Sequence, residues 1–274
     1  ILSTNVLFGV QSIRMKNEEL TGMYYDYALA APYMAGIEEK QDANVLILGL
    51  GTGTYATLCD RYFPGIQVEG VEVDQKIADL SRKYFDLPES VSVHVDDGRA
   101  FLERAGQYDV IMVDAYQDIT IPFQMSSVEF FTMVKEHLKE DGVMVVNMNM
   151  RSSKEGSIND CLTDTIASVF SEVYTVTDEG NTNTELFASE NPNMVENLSN
   201  ALGRIQDPAL RDMMQTAYEG LEKKEGQGRI LTDDKAPVEV LGMRVIDEII
   251  GDELDYYRDI LRGGSLEEIL QMLG

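Results

Sequence analysis

A glycine loop and a set of carboxylates at strand ends hold the chemistry this chain can do. The run Gly49-Leu50-Gly51-Thr52-Gly53 follows four apolar residues, Val45-Leu46-Ile47-Leu48, which read as a strand buried on both faces, and it leads into a helical pattern over 54–63. Glycines at such a turn let the backbone approach a ligand, and the helix start aims its free N–H groups at it. An acid about 20 residues further on, at the end of the next strand, is placed to take both hydroxyls of a ribose; Glu72 stands there. The spacing is Gly-x-Gly-x-Gly, with Thr54 where a dinucleotide fold has its third glycine, which favours an adenosyl-sulfonium over a pyrophosphate. Asp97-Gly98, after a third strand, can offer a carboxylate to an adenine amino group or cap the following helix. Asp114 and Asp118 follow a fourth buried strand, where a carboxylate can hold an amine, orient its lone pair and accept its proton. Upstream, Tyr24-Tyr25-Asp26-Tyr27 reads equally as an aromatic helix face packed on the core and as a wall lining a substrate.

The elements that must position these groups alternate as in a doubly wound α/β sheet. Strands are predicted near 45–50, 66–73, 91–96, 108–114 and 142–149, with helices near 54–63, 75–85, 98–104 and 127–139. A helix over 157–170 then precedes two strand-like runs, 172–177 and 184–189, joined by a turn-rich segment that implies an antiparallel pair closing the sheet. Residues 193–224 are helical and amphipathic, broken at Gly203 and near Pro208, and further helices are predicted after a loop that carries Thr232-Asp233-Asp234-Lys235-Ala236-Pro237-Val238-Glu239. That loop reads either as a flap closing over the site or as a capping turn with Asp233 or Asp234 as the cap. Residues 1–16 alternate loosely, as one or two strands. The chain divides into three parts: 1–30 as the remnant of a small β element, 31–190 as a Rossmann-like nucleoside-binding catalytic domain, and 191–274 as a helical C-terminal extension. The start without Met, already in a β-like pattern, reads as cut from something longer.

Composition narrows the partners. The 274 residues carry 48 acids against 22 Lys and Arg, a formal charge of −26, which disfavours nucleic acid and anionic membrane surfaces and welcomes a cationic substrate. Cys59 and Cys161 fall on apolar helix positions without metal-type spacing, so reduced, buried thiols and a cytoplasmic setting are expected, with no disulfide. His94 and His137 are the only histidines, one in a strand and one late in a helix, so neither a His-based metal site nor a triad is expected and proton transfer falls to carboxylates or tyrosines. No apolar run approaches the ~18 residues that cross a bilayer.

Taken together these motifs resemble the spermidine synthase (polyamine aminopropyltransferase) family, on the methyltransferase-like Rossmann fold. The family's order of VLVIGGGDGG, VEID, a strand ending in DG, and YDVI-VD-S-S-D-P is met here by 45–54, Val71-Glu72-Val73-Asp74, Asp97-Gly98 and Tyr108-Asp109-Val110-Ile111-Met112-Val113-Asp114. Asp114-Ala115-Tyr116, Ile121-Pro122-Phe123 and the run 232–239 are closer still to bacterial spermidine synthase-like proteins fused to a membrane-spanning N-terminal part. The resemblance implies a mostly parallel doubly wound sheet with an antiparallel end. It implies decarboxylated S-adenosylmethionine as co-substrate, no metal, and aminopropyl transfer to a small polyamine such as putrescine with release of methylthioadenosine. By it Gly49, Gly51, Thr52, Gly53, Glu72, Asp97 and Gly98 hold the nucleoside, with Glu72 on the ribose and Asp97 on the adenine. Asp114 is the base, Tyr24 the substrate-binding tyrosine, and Tyr25, Asp26, Tyr116 and Asp118 line the amine site. A homodimer is carried over from the relatives. Two departures keep other readings open: Thr52 replaces the aspartate of GGGDGG, and Gln117-Asp118 displaces the second acid of the catalytic loop by one residue. A methyltransferase using intact S-adenosylmethionine is the first alternative, although Ile47 stands where many methyltransferases carry an acid. A nucleoside- or polyamine-binding domain of a membrane protein, without turnover, is the second.

Overall fold

The structure is a computed structural model and describes residues 1–2, 12–17, 20–115, 121–149, 156–177, 183–226, 228–235 and 237–238. Its strands are β1 (Asn44–Leu48), β2 (Gln67–Glu72), β3 (Ser92–Val95), β4 (Tyr108–Val113), β5 (Leu138–Met148), β6 (Glu172–Thr177), β7 (Thr184–Ser189) and β8 (Glu222–Lys223). The helices are α1 (Tyr24–Ala28), α2 (Ala30–Met34), α3 (Thr54–Tyr62), α4 (Gln75–Tyr84), α5 (Gly98–Leu102), α6 (Val128–Glu136), α7 (Ile158–Ala167), α8 (Met194–Leu202) and α9 (Pro208–Glu219). One sheet runs in the order β3-β2-β1-β4-β5-β7-β6-β8. Its first five members are parallel, and β7, β6 and β8 add antiparallel. The chain steps outward from β1 to β3 and returns to β4, so β1 and β4 flank the topological switch point, where open sheets of this type bind ligands beyond their carboxyl ends.

Side chains alternate along each strand, and the two faces build two cores. Val45, Ile47, Val68, Val110, Met112, Val143, Val145 and Phe187 pack under α1, α2, α3, α8 and α9. Leu46, Leu48, Val71, Ile111, Val113, Met144, Val146 and Leu186 pack under α5, α6 and α7. Extending the two-residue period past the strand ends puts Glu72, Asp114, Asn147 and Glu185 on the first face. Helix starts are marked by acids and hydroxyls: Asp74, Asp97, Ser127, Ser157 and Asp207 each accept from a backbone N–H in the following turn.

Two expectations are corrected. β5 starts at Leu138, earlier than the polar run Lys139-Glu140-Asp141-Gly142 suggests, because Leu138 pairs with Tyr108 before a register shift along β4. Residues at the end of the helical run 193–224 form β8 on the edge of β6, where Glu222 and Lys223 lie opposite Thr175 and Tyr174. Of the early β pattern, an antiparallel bridge between Leu2 and Ser12 falls on described residues, and 3–11 lie outside them. The helices predicted after 239 lie outside the described residues.

Candidate active site

The end of β1 and the end of β4 press together. Gly49 has φ +93°, and a Cβ on it would lie 2.5 Å from the Asp114 carbonyl oxygen, so only glycine fits between the loop and the acid-bearing strand. Beyond it, Gly51 donates its N–H to Glu72 Oε2 at 2.8 Å, and Asp74 donates to Oε1 at 3.0 Å. These bonds hold Glu72 against the loop and leave acceptor capacity on both oxygens. Burial raises the Glu72 pKa above its ordinary value, with the backbone donors opposing. Thr52 donates its N–H to Ser12 Oγ at 3.1 Å, while its own buried Oγ1 has no partner. Ile13 bonds Thr54 Oγ1 through both its N–H and its carbonyl, so the segment before α1 braces the loop.

Asp114 follows β4 directly and donates its N–H to Leu48 of β1 at 2.9 Å. Its Oδ2 accepts from the Tyr24 hydroxyl at 2.7 Å and its Oδ1 from Asn147 Nδ2 at 2.8 Å. Asn147 Oδ1 in turn accepts from Asn183 Nδ2 at 2.8 Å, which fixes the amide's orientation. Every group within this set is neutral or acidic. Burial pushes the Asp114 pKa up to about 7; the Tyr24 and Asn147 donors pull against it and the nearby Glu72 charge adds to it. Burial and Asp114 hold the Tyr24 phenol well above its usual range, so Tyr24 remains a donor to Asp114 at any working pH. Glu185 lies at the start of β7, in register with Asn147, 2% exposed, and among the described residues neither of its carboxylate oxygens has a hydrogen-bond partner.

The residues expected at the site divide into groups. Gly49, Gly51, Thr52, Gly53 and Glu72 form one cradle, and Tyr24 meets Asp114 as a direct partner. Asp97 caps α5 through Oδ1 to the Ala100 N–H at 2.9 Å, and Gly98 opens that helix against Met125. Tyr25 is buried beside Tyr24, with rings 4.0 Å apart, and its hydroxyl is near Thr54 and Ser12. The Asp26 carboxylate accepts from the Thr21 N–H, the Thr21 hydroxyl and the Gly22 N–H, and so folds the entry to α1. Tyr116 and Asp118 lie outside the described residues. Asp233 takes both guanidinium nitrogens of Arg99, at 2.8 and 2.7 Å, and the Ser127 hydroxyl, and thereby ties its loop to the start of α5, while the helix expected after it lies outside the described residues. Cys59 and Cys161 are buried free thiols, and burial pushes Cys59 up to about 12. Asn147, Asn183 and Glu185 were not anticipated. The signal for Glu185 was a lone acid in the apolar alternation Glu185-Leu186-Phe187-Ala188, at the end of the sheet where the other acids lie.

Among the described residues no helix is long and apolar enough to cross a membrane. A family model described as the spermine/spermidine synthase domain matches residues 28–193. A probable polyamine aminopropyl transferase of Bifidobacterium longum is 52% identical over 292 residues, covering 98% of this chain; the chain spans 64% of that relative's length. Among solved structures, a spermidine synthase in complex with the transition state analogue AdoDATO superposes with TM-score 0.59 at 18% identity, covering 74% of each chain. Human methyltransferase-like protein 13 in complex with SAH superposes with TM-score 0.58 at 21% identity, covering 75% of this chain and 95% of the other. These likenesses give the methyltransferase-like Rossmann fold, which aminopropyl and methyl transfer share.

Proposed function

The chain belongs to the spermine/spermidine synthase family, and from that premise we propose that it transfers an aminopropyl group from decarboxylated S-adenosylmethionine to a small polyamine such as putrescine. The observation that carries the reading is Asp114: a carboxylate beside the nucleoside loop, hydrogen-bonded by Tyr24 and Asn147, with its pKa raised to about 7. A base poised near neutrality is matched to taking a proton from an amine.

The residues present fit the nucleoside of the donor. Glu72 accepts from the ribose hydroxyls with its remaining lone pairs, the unpartnered Thr52 Oγ1 faces a polar group of the ligand, and the free oxygen of Asp97 accepts from the adenine amino group. Asp114 then orients the acceptor nitrogen. Its lone pair attacks the propyl carbon bonded to sulfur, the C–S bond breaks with its electron pair returning to sulfur as methylthioadenosine, and the N–H proton passes to Asp114. Tyr24 keeps Asp114 in place and stabilises its ionised form. Proximity and a base suffice because a sulfonium is already a good leaving group. On the same reading the protein works in the cytoplasm as a homodimer, attached to a membrane-spanning part, and its oligomeric state is read by light scattering.

The test is mass spectrometry of small-molecule products after incubation with each sulfonium donor and a pool of amines. Enzyme-dependent methylthioadenosine with an amine heavier by one aminopropyl unit is the expected result. S-Adenosylhomocysteine with a methylated product overturns the reading in favour of a methyltransferase.

A further inference from the structure

The transfer step leaves one buried group unused. Glu185 is 2% exposed and among the described residues both carboxylate oxygens lack any hydrogen-bond partner, although an acid in such a place is costly unless something pairs with it. Its position is informative. It shares the sheet face of Phe187, Tyr24 and Tyr25, and it lies opposite Asn147, whose amide holds Asp114. In the order β2-β1-β4-β5-β7, the nucleoside loop and Glu72 lie to one side of Asp114 and Glu185 to the other. β4 and β7 are separated by one strand, so their backbones are roughly 10 Å apart, and the two carboxylates act on one another electrostatically. Among the described residues, the other titratable groups facing this region are Tyr24 and Tyr25 on α1, Tyr55 on α3 and Glu72 on β2, and none of these is a cation.

We propose that Glu185 is a second substrate-binding carboxylate, which takes the distal ammonium of an aliphatic diamine whose near nitrogen Asp114 prepares for attack. This deepens the aminopropyl-transfer reading and rests on it for the role of Asp114. The donor reaches Asp114 from the β1 side and the acceptor lies across β5 towards β7, so the acceptor must carry positive charge at both ends, and a monoamine of the same length leaves Glu185 unpaired. Burial and Asp114 hold Glu185 well above the ordinary carboxylate range while the site is empty, so the arriving ammonium ionises it and a proton is released.

The experiment is calorimetry on the full chain with methylthioadenosine present, titrating 1,4-diaminobutane and, separately, butylamine in two buffers of different ionisation enthalpy. The wild type is expected to bind the diamine at least about thirtyfold more tightly than the monoamine, with buffer-dependent proton release. Glu185→Gln and the apolar Glu185→Met are both expected to bring that preference below about threefold, with butylamine binding unchanged and no fall in Tm. A wild type without diamine preference, or variants that keep it, overturns the proposal. Turnover separates the two claims. Aminopropyl transfer that is indifferent to Glu185 sinks this inference alone, whereas a Glu185-dependent diamine preference with no aminopropyl product supports the binding site and sinks the transfer reading.

Discussion

Asp109 and Asp114 mark the two ends of the same strand, and they are opposites. Asp109, near the start of β4, is fully buried. Burial pushes its pKa up, but hydrogen bonds from Lys139 and Lys40, each at 2.7 Å, and from the Asn44 N–H at 3.0 Å outweigh burial and leave it below the ordinary value. Asp114, just past the other end, has a phenol and an amide as partners and is pushed up to about 7. Burial pushes both upward, although Asp114 keeps part of its surface exposed, and the difference in outcome lies in the charge of the partners. The first carboxylate is satisfied by two lysines and ties the start of the sheet together, while the second has no cationic partner among the described residues.

Substitutions at the two positions break this comparison in opposite directions. Asp114→Asn is expected to lower turnover roughly a thousandfold while leaving donor binding and the fold intact, as read by steady-state kinetics beside calorimetry with methylthioadenosine. Asp109→Asn is expected to leave turnover per folded molecule unchanged and to cost about 1–3 kcal/mol of stability in urea unfolding, because two lysines lose their buried partner. Equal losses of activity at both positions would contradict the division.

The pH dependence of stability sharpens it. A carboxyl ordinarily titrates near 3.9 in an unfolded chain. Asp114, raised to about 7 when folded, binds its proton more tightly in the native state, so its contribution is complete below about 4 and is lost as pH rises towards 7. Asp109, lowered when folded, contributes above the unfolded value and loses that contribution as pH falls through its folded one. Asp114→Asn should therefore gain stability over the wild type between pH 4 and 8, and Asp109→Asn should show its deficit at neutral pH and recover parity in acid.

Much of the fold and site was legible in the chain because it depends on period and spacing alone. Unbroken apolar runs mark the central strands, and the acids after Val71 and Val113 stand out because one closes a buried strand and the other directly follows one. Other residues were hidden because their roles depend on tertiary partners. Asp26 has the local appearance of a substrate acid, and only the fold shows its oxygens taken by Thr21 and Gly22. Asn147 and Asn183 are ordinary polar residues until β5 lies beside β4 and β7 beside β5. Lys139-Glu140-Asp141-Gly142 carries turn composition, yet pairing between Leu138 and Tyr108 draws it into β5. The run 232–239 was visible as a motif, but its tie from Asp233 to Arg99 spans sequence that no local pattern connects.

Two smaller effects separate tyrosines that are buried alike. Tyr24→Phe removes a donor that favours ionised Asp114, so kcat/KM at pH 7 is expected to fall roughly tenfold, with the acid limb of the profile moved upward and activity partly restored near pH 9. Tyr55, whose hydroxyl donates to the Ala28 carbonyl at 3.1 Å, lies away from Asp114's oxygens. Tyr55→Phe should cost about 1 kcal/mol of stability and leave the pH profile in place.

The most direct measurement is a ¹³C NMR titration of protein labelled at aspartate side-chain carboxyls, with Asp114 and Asp109 assigned by the resonances lost in Asp114→Asn and Asp109→Asn. One carboxyl is expected to titrate with a midpoint near 7 and to be absent from the first variant, and another to stay ionised below the ordinary range and to be absent from the second. An Asp114 resonance that titrates with the surface aspartates near 4 would contradict the account, because its base would then lack the raised proton affinity on which the proposed chemistry depends.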